Sequence, residues 1–202
     1  MSHILGLTGS IATGKSTASK FFKKAGFPVV DADYGARVVV EPGQPGLEAV
    51  KAHFGEDIVF PNGVLDRKKL GQIIFSDDKK REKLNELLRQ PIRDWLNSQK
   101  DKYEAEGHEL IVMDIPLLFE GDFADACDQV MVIYVSETIQ LDRLMQRDNL
   151  TSVEAFQRMT SQMSIERKAM MADVVIDNSG SITDTEQQLD AWVGISGFQP
   201  LK

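Results

Sequence analysis

Eight consecutive residues, Gly9-Ser10-Ile11-Ala12-Thr13-Gly14-Lys15-Ser16, fit the pattern GxxxxGK[ST]. They follow a short apolar run, His3 to Thr8, and lead into a stretch of helical character from Gly14 to Ala25. A strand, a glycine-rich turn and a helix in that order are the setting a phosphate-binding loop requires. Its glycines let the backbone curl until successive N–H groups point inward at anionic oxygens, and the helix adds its positive N-terminal end. In such a loop Lys15 bridges the β- and γ-phosphates of ATP and the Ser16 hydroxyl ligates Mg²⁺. Thr17 reads equally as a second hydroxyl near the phosphates or as helix surface.

The rest of the chain alternates in the same way. Phe27-Pro28-Val29-Val30 is β-rich and ends at Asp31-Ala32-Asp33, and a helix is expected from Tyr34 to Val40 before Pro42-Gly43 stops it. Strand signals return at Glu109 to Met113, Gln129 to Val135 and Val174 to Ile176, as apolar runs that suit parallel strands covered on both faces. Residues 45–106 carry helical periodicity and almost no strand signal. Within them Asp77 to Glu106 forms one long amphipathic stretch, kinked or broken near Pro91. Glu137 to Asp148 and Thr151 to Met171 are helical and rich in arginine, and Thr183 to Val193 closes the chain. The expected class is α/β: a three-layer core with a parallel five-stranded sheet, from residues 1–44, 107–136 and 172–202, a helical insertion at 45–106 and a helical segment at 137–171.

Charge narrows the function classes. A net charge of −8 and a pI near 4.9 argue against a broad nucleic-acid surface, so any anion site is local. No run approaches the roughly 20 apolar residues of a membrane span, and the first residues show no signal-length apolar segment, which points to a cytoplasmic protein. The lone Cys127 excludes an internal disulfide and reads as a buried small side chain. His3, His53 and His108 show no metal spacing. Nothing in the chain calls for a macromolecular partner; a monomer or a weak homo-oligomer is expected.

Catalytic candidates cluster at strand ends. Asp31 and Asp33 close the second strand, at the edge where open α/β sheets bind ligands. Two positions apart in extended chain, they face one side, so that one works while the other caps the next helix, and Asp33 is the better candidate. A hydroxyl acceptor gains from a carboxylate that takes its proton, whereas a phosphate acceptor needs arginines, so Asp33 favours an alcohol acceptor. Alternatively Asp33 only orders Mg²⁺ or its waters. Asp114, after an apolar strand, is a further metal-side candidate. Arg143 and Arg147, four apart in a helix, form either a clamp on the γ-phosphoryl group or surface pairs with Asp142 and Asp148. Arg158 and Arg167 read as surface residues, and so do Arg67, Arg89 and Arg93, although these three are also able to approach an anionic acceptor. Trp95, Trp192 and the phenylalanines read as core, with Phe119 an exception at the catalytic edge.

Taken together, Gly6-Leu7-Thr8-Gly9 through Lys15-Ser16-Thr17, Val30-Asp31-Ala32-Asp33 with Ala36-Arg37 and Pro42-Gly43, Asp114-Ile115-Pro116-Leu117-Leu118-Phe119-Glu120, Gln146-Arg147-Asp148, and Ala172-Asp173-Val174-Val175-Ile176-Asp177-Asn178-Ser179-Gly180 resemble the dephospho-CoA kinase family in order and spacing. The match covers nearly the whole chain. The resemblance implies transfer of the ATP γ-phosphate to the ribose 3′-hydroxyl of dephospho-CoA, the last step of coenzyme A synthesis, with Asp33 in the base position. It also implies a CoA-binding helical domain at 45–106, with Arg37, Arg67, Arg93, Leu117 and Phe119 toward the acceptor. A lid at 137–171 would carry Arg143 and Arg147, and Asn178 would lie near the adenine.

Two departures stand out. Many members have glycine at Ala12, and a Cβ there asks the loop for an ordinary φ. Members often carry histidine where Gln90 precedes Pro91. The rival readings are a P-loop kinase for a nucleoside, a nucleotide or shikimate, and a nucleotide-dependent switch. Against a GTPase switch, the chain has no NKxD tetrapeptide, and its DxxG match, Asp177 to Gly180, comes too late.

Overall fold

The computed structural model describes residues 1–75 and 77–201. In chain order the elements are β1 (His3–Gly9), α1 (Lys15–Lys24), β2 (Val29–Asp31), α2 (Ala32–Val38), α3 (Pro45–Phe54), α4 (Arg67–Phe75) and α5 (Asp78–Ala105). They continue as β3 (Leu110–Asp114), β4 (Gln129–Tyr134), α6 (Glu137–Asp148), α7 (Ser152–Thr160), α8 (Ile165–Met171), β5 (Val174–Asp177) and α9 (Ile182–Ser196). The chain divides into two compact units, Met1–Asp31 with the chain from Lys100 onward, and Ala32–Gln99.

The first unit holds one five-stranded sheet in the order β2-β3-β1-β4-β5, and every neighbouring pair is parallel. Alternate residues of the central strands, Leu5 and Leu7, Leu110 and Val112, Met131 and Ile133, pack with Ala18 and Phe22 of α1 and Leu189 of α9. The intervening Ile4, Ile111, Met113, Val130 and Val132 are buried as well. That is why these strands read as unbroken apolar runs: in a parallel sheet the crossover helices cover both faces. Register places Asp114 beside Leu7 on one flank and beside Asp31 on the other. Two carboxylates therefore stand together at the C-terminal edge of the sheet, and the phosphate-loop candidate leaves the same edge from β1.

The second unit is helical and has its own core of Val39, Val40, Leu47, Val50, Ile58, Leu65 and Leu70, joined by Leu84, Leu88, Ile92 and Trp95 of α5. Of the two outcomes expected at Pro91, a kink or a break, the break does not occur: α5 runs unbroken from Asp78 to Ala105 with the proline inside it. A proline in a helix interior costs roughly 3 kcal/mol; the stripe Leu84, Leu88, Ile92 and Trp95, at helical spacing on both sides of it, supplies packing that holds the helix through the missing bond. Asp31 and Asp33 also do not share an extended segment. The chain turns helical at Ala32, so Asp33 stands in the first turn of α2.

In the first unit the helical stretch expected from Thr151 to Met171 is present as two helices, α7 and α8, the second begun by Ser164, whose side chain accepts a hydrogen bond from Arg167 N.

Candidate functional site

Gly9 ends β1, and the chain then folds back on itself. The backbone N–H and the hydroxyl of Thr13 both donate to Ser10 O, at 3.2 and 3.0 Å. Gly14 sits at φ 89°, and a Cβ there would lie 2.0 Å from Asn178 Nδ2, so both conformation and space demand glycine. Ala12 overturns the expectation of an ordinary φ: it takes φ 63°, in the left-handed region. Its methyl and the Ile11 side chain are seated against the cluster of Leu144, Ala155 and Met159, and that packing holds the residue where an L-amino acid is disfavoured. A left-handed alanine costs about 1–2 kcal/mol, and glycine loses about 0.5–1 kcal/mol in chain entropy. Ala12→Gly is therefore expected to stabilise the protein by about 0.5–1 kcal/mol, read as a raised denaturant midpoint at unchanged m-value.

The loop is buttressed from three directions. Ile11 N donates to Gln162 Oε1 at 2.9 Å, and Ile11 O accepts from Gln140 Nε2 at 2.8 Å. Ser10 Oγ donates to Met163 O at 3.2 Å. Thr13 O accepts from Asn178 Nδ2 at 2.7 Å, and Asn178 Oδ1 accepts from the Thr185 hydroxyl at 2.6 Å. Gln140 and Gln162 are absent from the candidates of the sequence. Each is a neutral side chain outside any motif, and only the fold brings it to the loop.

What remains unbonded is an anion cradle. The amides of Lys15 and Ser16 lie in the first turn of α1, where no helical carbonyl reaches them, and among the described residues these and the amides of Ala12 and Gly14 meet no protein acceptor. The Ser16 side chain is exposed and Thr17 half-buried. Lys15 Nζ is ion-paired with Asp114, whose second carboxylate oxygen accepts from the Ser19 hydroxyl. Asp114 is 5% exposed, so its two oxygens are met by these protein partners rather than by water.

The two lid-candidate arginines take different partners. Arg143 Nη2 donates to Asn178 O at 2.9 Å, while Arg147 grips Asp148 with two N–H···O contacts of 2.8 and 3.1 Å. Arg158 reaches the same carboxylate at 2.8 Å, in line with its reading as a surface residue. The Arg147 guanidinium holds the Asp148 carboxyl below the usual range. Leu117 is half-buried and Phe119 buried in the turn after β3. Asp33, Arg37, Arg67 and Arg93 belong to the second unit. Asp33 and Arg37 are exposed on α2, and Arg67 opens α4 and donates to Arg37 O at 3.2 Å. Arg93 is half-buried on α5, where Gln90 donates to Asp94 at 2.7 Å. Burial pushes the Cys127 thiol up to about 12, which leaves it inert as a nucleophile.

Among the described residues no helix is long and apolar enough to cross a membrane, and no three His, Cys, Asp or Glu side chains gather as a metal cluster.

Known proteins match this chain along nearly its whole length. The family model described as dephospho-CoA kinase matches residues 3–184. Dephospho-CoA kinase from Listeria monocytogenes is 46% identical over 96% of each chain, and that from Enterococcus faecalis 49% identical over the same shares. Among solved structures, dephospho-CoA kinase from Campylobacter jejuni superposes with a TM-score of 0.73 at 31% identity, covering 96% of each chain. A shikimate kinase from Bacteroides thetaiotaomicron, 12% identical with a TM-score of 0.50, shares the fold alone. A phosphate cradle at the centre of a parallel sheet is common to many kinases; agreement at this level from end to end is not, and the chain belongs to the dephospho-CoA kinase family.

Proposed function

We propose that this protein transfers the γ-phosphate of ATP to the ribose 3′-hydroxyl of dephospho-CoA, giving coenzyme A and ADP in the cytoplasm. The observation that carries the reading is the cradle: four loop amides that meet no protein acceptor among the described residues, an exposed Ser16 hydroxyl and a lysine held at the neighbouring strand end, in a chain of this family. Donors fixed before the reaction stabilise developing phosphoryl charge without reorganising, and catalysis of phosphoryl transfer rests chiefly on such stabilisation together with positioning.

The roles divide as follows. The backbone from Gly9 to Thr17 wraps the phosphates, and Lys15 exchanges Asp114 for the β- and γ-phosphate oxygens. Ser16 and Asp114 offer the hard oxygen donors that suit Mg²⁺, which takes one or two protein ligands and completes its shell with phosphate oxygens and water. When bound, the cation neutralises charge on those oxygens. Arg147 is 54% exposed, and an ion pair that open to solvent contributes little, so it gives up Asp148 for a phosphate at small cost. Arg143 supports the same charge. The side chain of Asn178 is committed to Thr13 and Thr185 and its main chain to Tyr134 O and Arg143, so its part in ATP binding is to hold the loop beside the nucleotide.

Asp33 takes the proton of the attacking hydroxyl. In support, it lies two residues beyond Asp31, which stands in register with Asp114. The helical unit binds the acceptor, with Arg37, Arg67 and Arg93 toward its anionic groups and Leu117 and Phe119 lining the approach.

The test is turnover of Mg·ATP against a panel of dephospho-CoA, nucleosides, nucleoside monophosphates and shikimate. Coenzyme A formation from dephospho-CoA alone is the expected result; turnover of a different acceptor with dephospho-CoA inert would overturn the substrate assignment.

A further inference from the structure

Lys168, on α8, is wholly buried. Lysine is almost never found so, because its ammonium loses several kcal/mol of hydration and must recover it from partners. Here the three N–H groups meet three acceptors: Gly9 O at 3.2 Å, Pro116 O at 2.9 Å and Glu120 Oε1 at 3.0 Å. Burial pushes the ammonium's pKa down, and the Glu120 carboxylate pulls it back up.

The acceptors are not arbitrary. Gly9 is the residue at which β1 becomes the phosphate loop, and Pro116 lies two residues beyond Asp114, the partner of Lys15. Glu120 Oε1 also accepts from Met163 N at 3.0 Å, and Met163 O accepts from Ser10 Oγ at 3.2 Å, which closes a ring back to the loop. Pro116 O takes one further bond, from Thr8 Oγ1 at 3.1 Å. A pair of apolar side chains would fill this space without desolvating two charges. The polar arrangement ties two main-chain segments that carry the chemistry, and an apolar pair cannot.

We propose that Lys168 is a positioning residue for phosphoryl transfer: by bridging the carbonyls of Gly9 and Pro116 it fixes the phosphate loop relative to the Asp114 end of β3. It acts through these segments and touches no reacting atom. Displacements of about 1 Å at a reacting centre cost on the order of a hundredfold in rate, so loss of the tie shows in kcat more than in nucleotide affinity.

The experiment compares wild type, Lys168→Met and the double variant Lys168→Met/Glu120→Leu, which replaces the ion pair with apolar volume. The expected result is kcat for dephospho-CoA lowered at least about tenfold per folded molecule, with the Kd of ATP within about threefold of wild type. The double variant is expected to recover thermal stability but not kcat. If Lys168→Met does not fold, the double variant, which also lacks the donors, is compared with wild type alone. Wild-type kcat in a folded variant, or kcat recovered together with stability in the double variant, overturns the proposal. Because the inference rests on phosphoryl transfer at this loop, amide exchange is measured in parallel. Faster exchange confined to Gly9–Thr13 supports the tie even if wild type proves inactive on dephospho-CoA, which would count against the substrate assignment instead; unchanged or uniformly accelerated exchange sinks the tie itself.

Discussion

Asp33→Asn is expected to lower turnover of dephospho-CoA by about two to four powers of ten while ATP affinity stays close to the parent value, the range over which a general base contributes. The substitution preserves shape and removes the negative charge together with the capacity to accept a proton. Asp33 is exposed in the first turn of α2, and the melting temperature of the variant is measured alongside, so that rates are compared per folded molecule. Single-turnover kinetics with saturating ATP gives the rate of the transfer step, and nucleotide titration gives the affinity. If Asp33 only ordered Mg²⁺, the loss would shrink as the cation is raised; a base assignment requires that it persist at every Mg²⁺ concentration.

The sequence was informative where physics is local. The motif from Gly9 to Ser16 required a strand before it and a helix after it, and β1 and α1 stand there. The apolar runs at Leu110 to Met113 and Val130 to Ile133 required burial on both faces, and the parallel sheet supplies it. What stayed hidden depends on contacts distant in the chain. Nothing around Ala12 signals a left-handed backbone, because Leu144 and Met159, more than a hundred residues away, hold it there. Pro91 announces a kink or a break, and packing of Leu88, Ile92 and Trp95 prevents the break. The partners of the loop itself are least visible of all: Gln140, Gln162 and Lys168 are ordinary polar residues by composition, and they acquire meaning only from which carbonyl or amide the fold brings to them.

Lys15→Ala is expected to lower turnover by about three powers of ten or more, since it removes the loop's own cation, which follows charge onto the γ-phosphoryl oxygens. A second consequence follows from its present partner. Asp114 is nearly buried, and without the ammonium its charge is supported by the Ser19 hydroxyl alone. Removing one member of a buried pair costs about 3–5 kcal/mol, and with Lys15 itself 18% exposed the loss here belongs below that range, at about 2 kcal/mol. Activity must therefore be normalised to folded protein. Lys15→Ala/Asp114→Asn separates the two effects: deleting the stranded charge restores most of the stability, yet turnover stays lost, because neither change returns a cation to the cradle. Recovery of turnover along with stability in that double variant would mean that Lys15 serves the fold rather than the phosphate. Lys15→Arg gives a further control, because a planar guanidinium keeps the charge but not the compact shape of an ammonium, and rescue of stability without rescue of rate is the expected outcome.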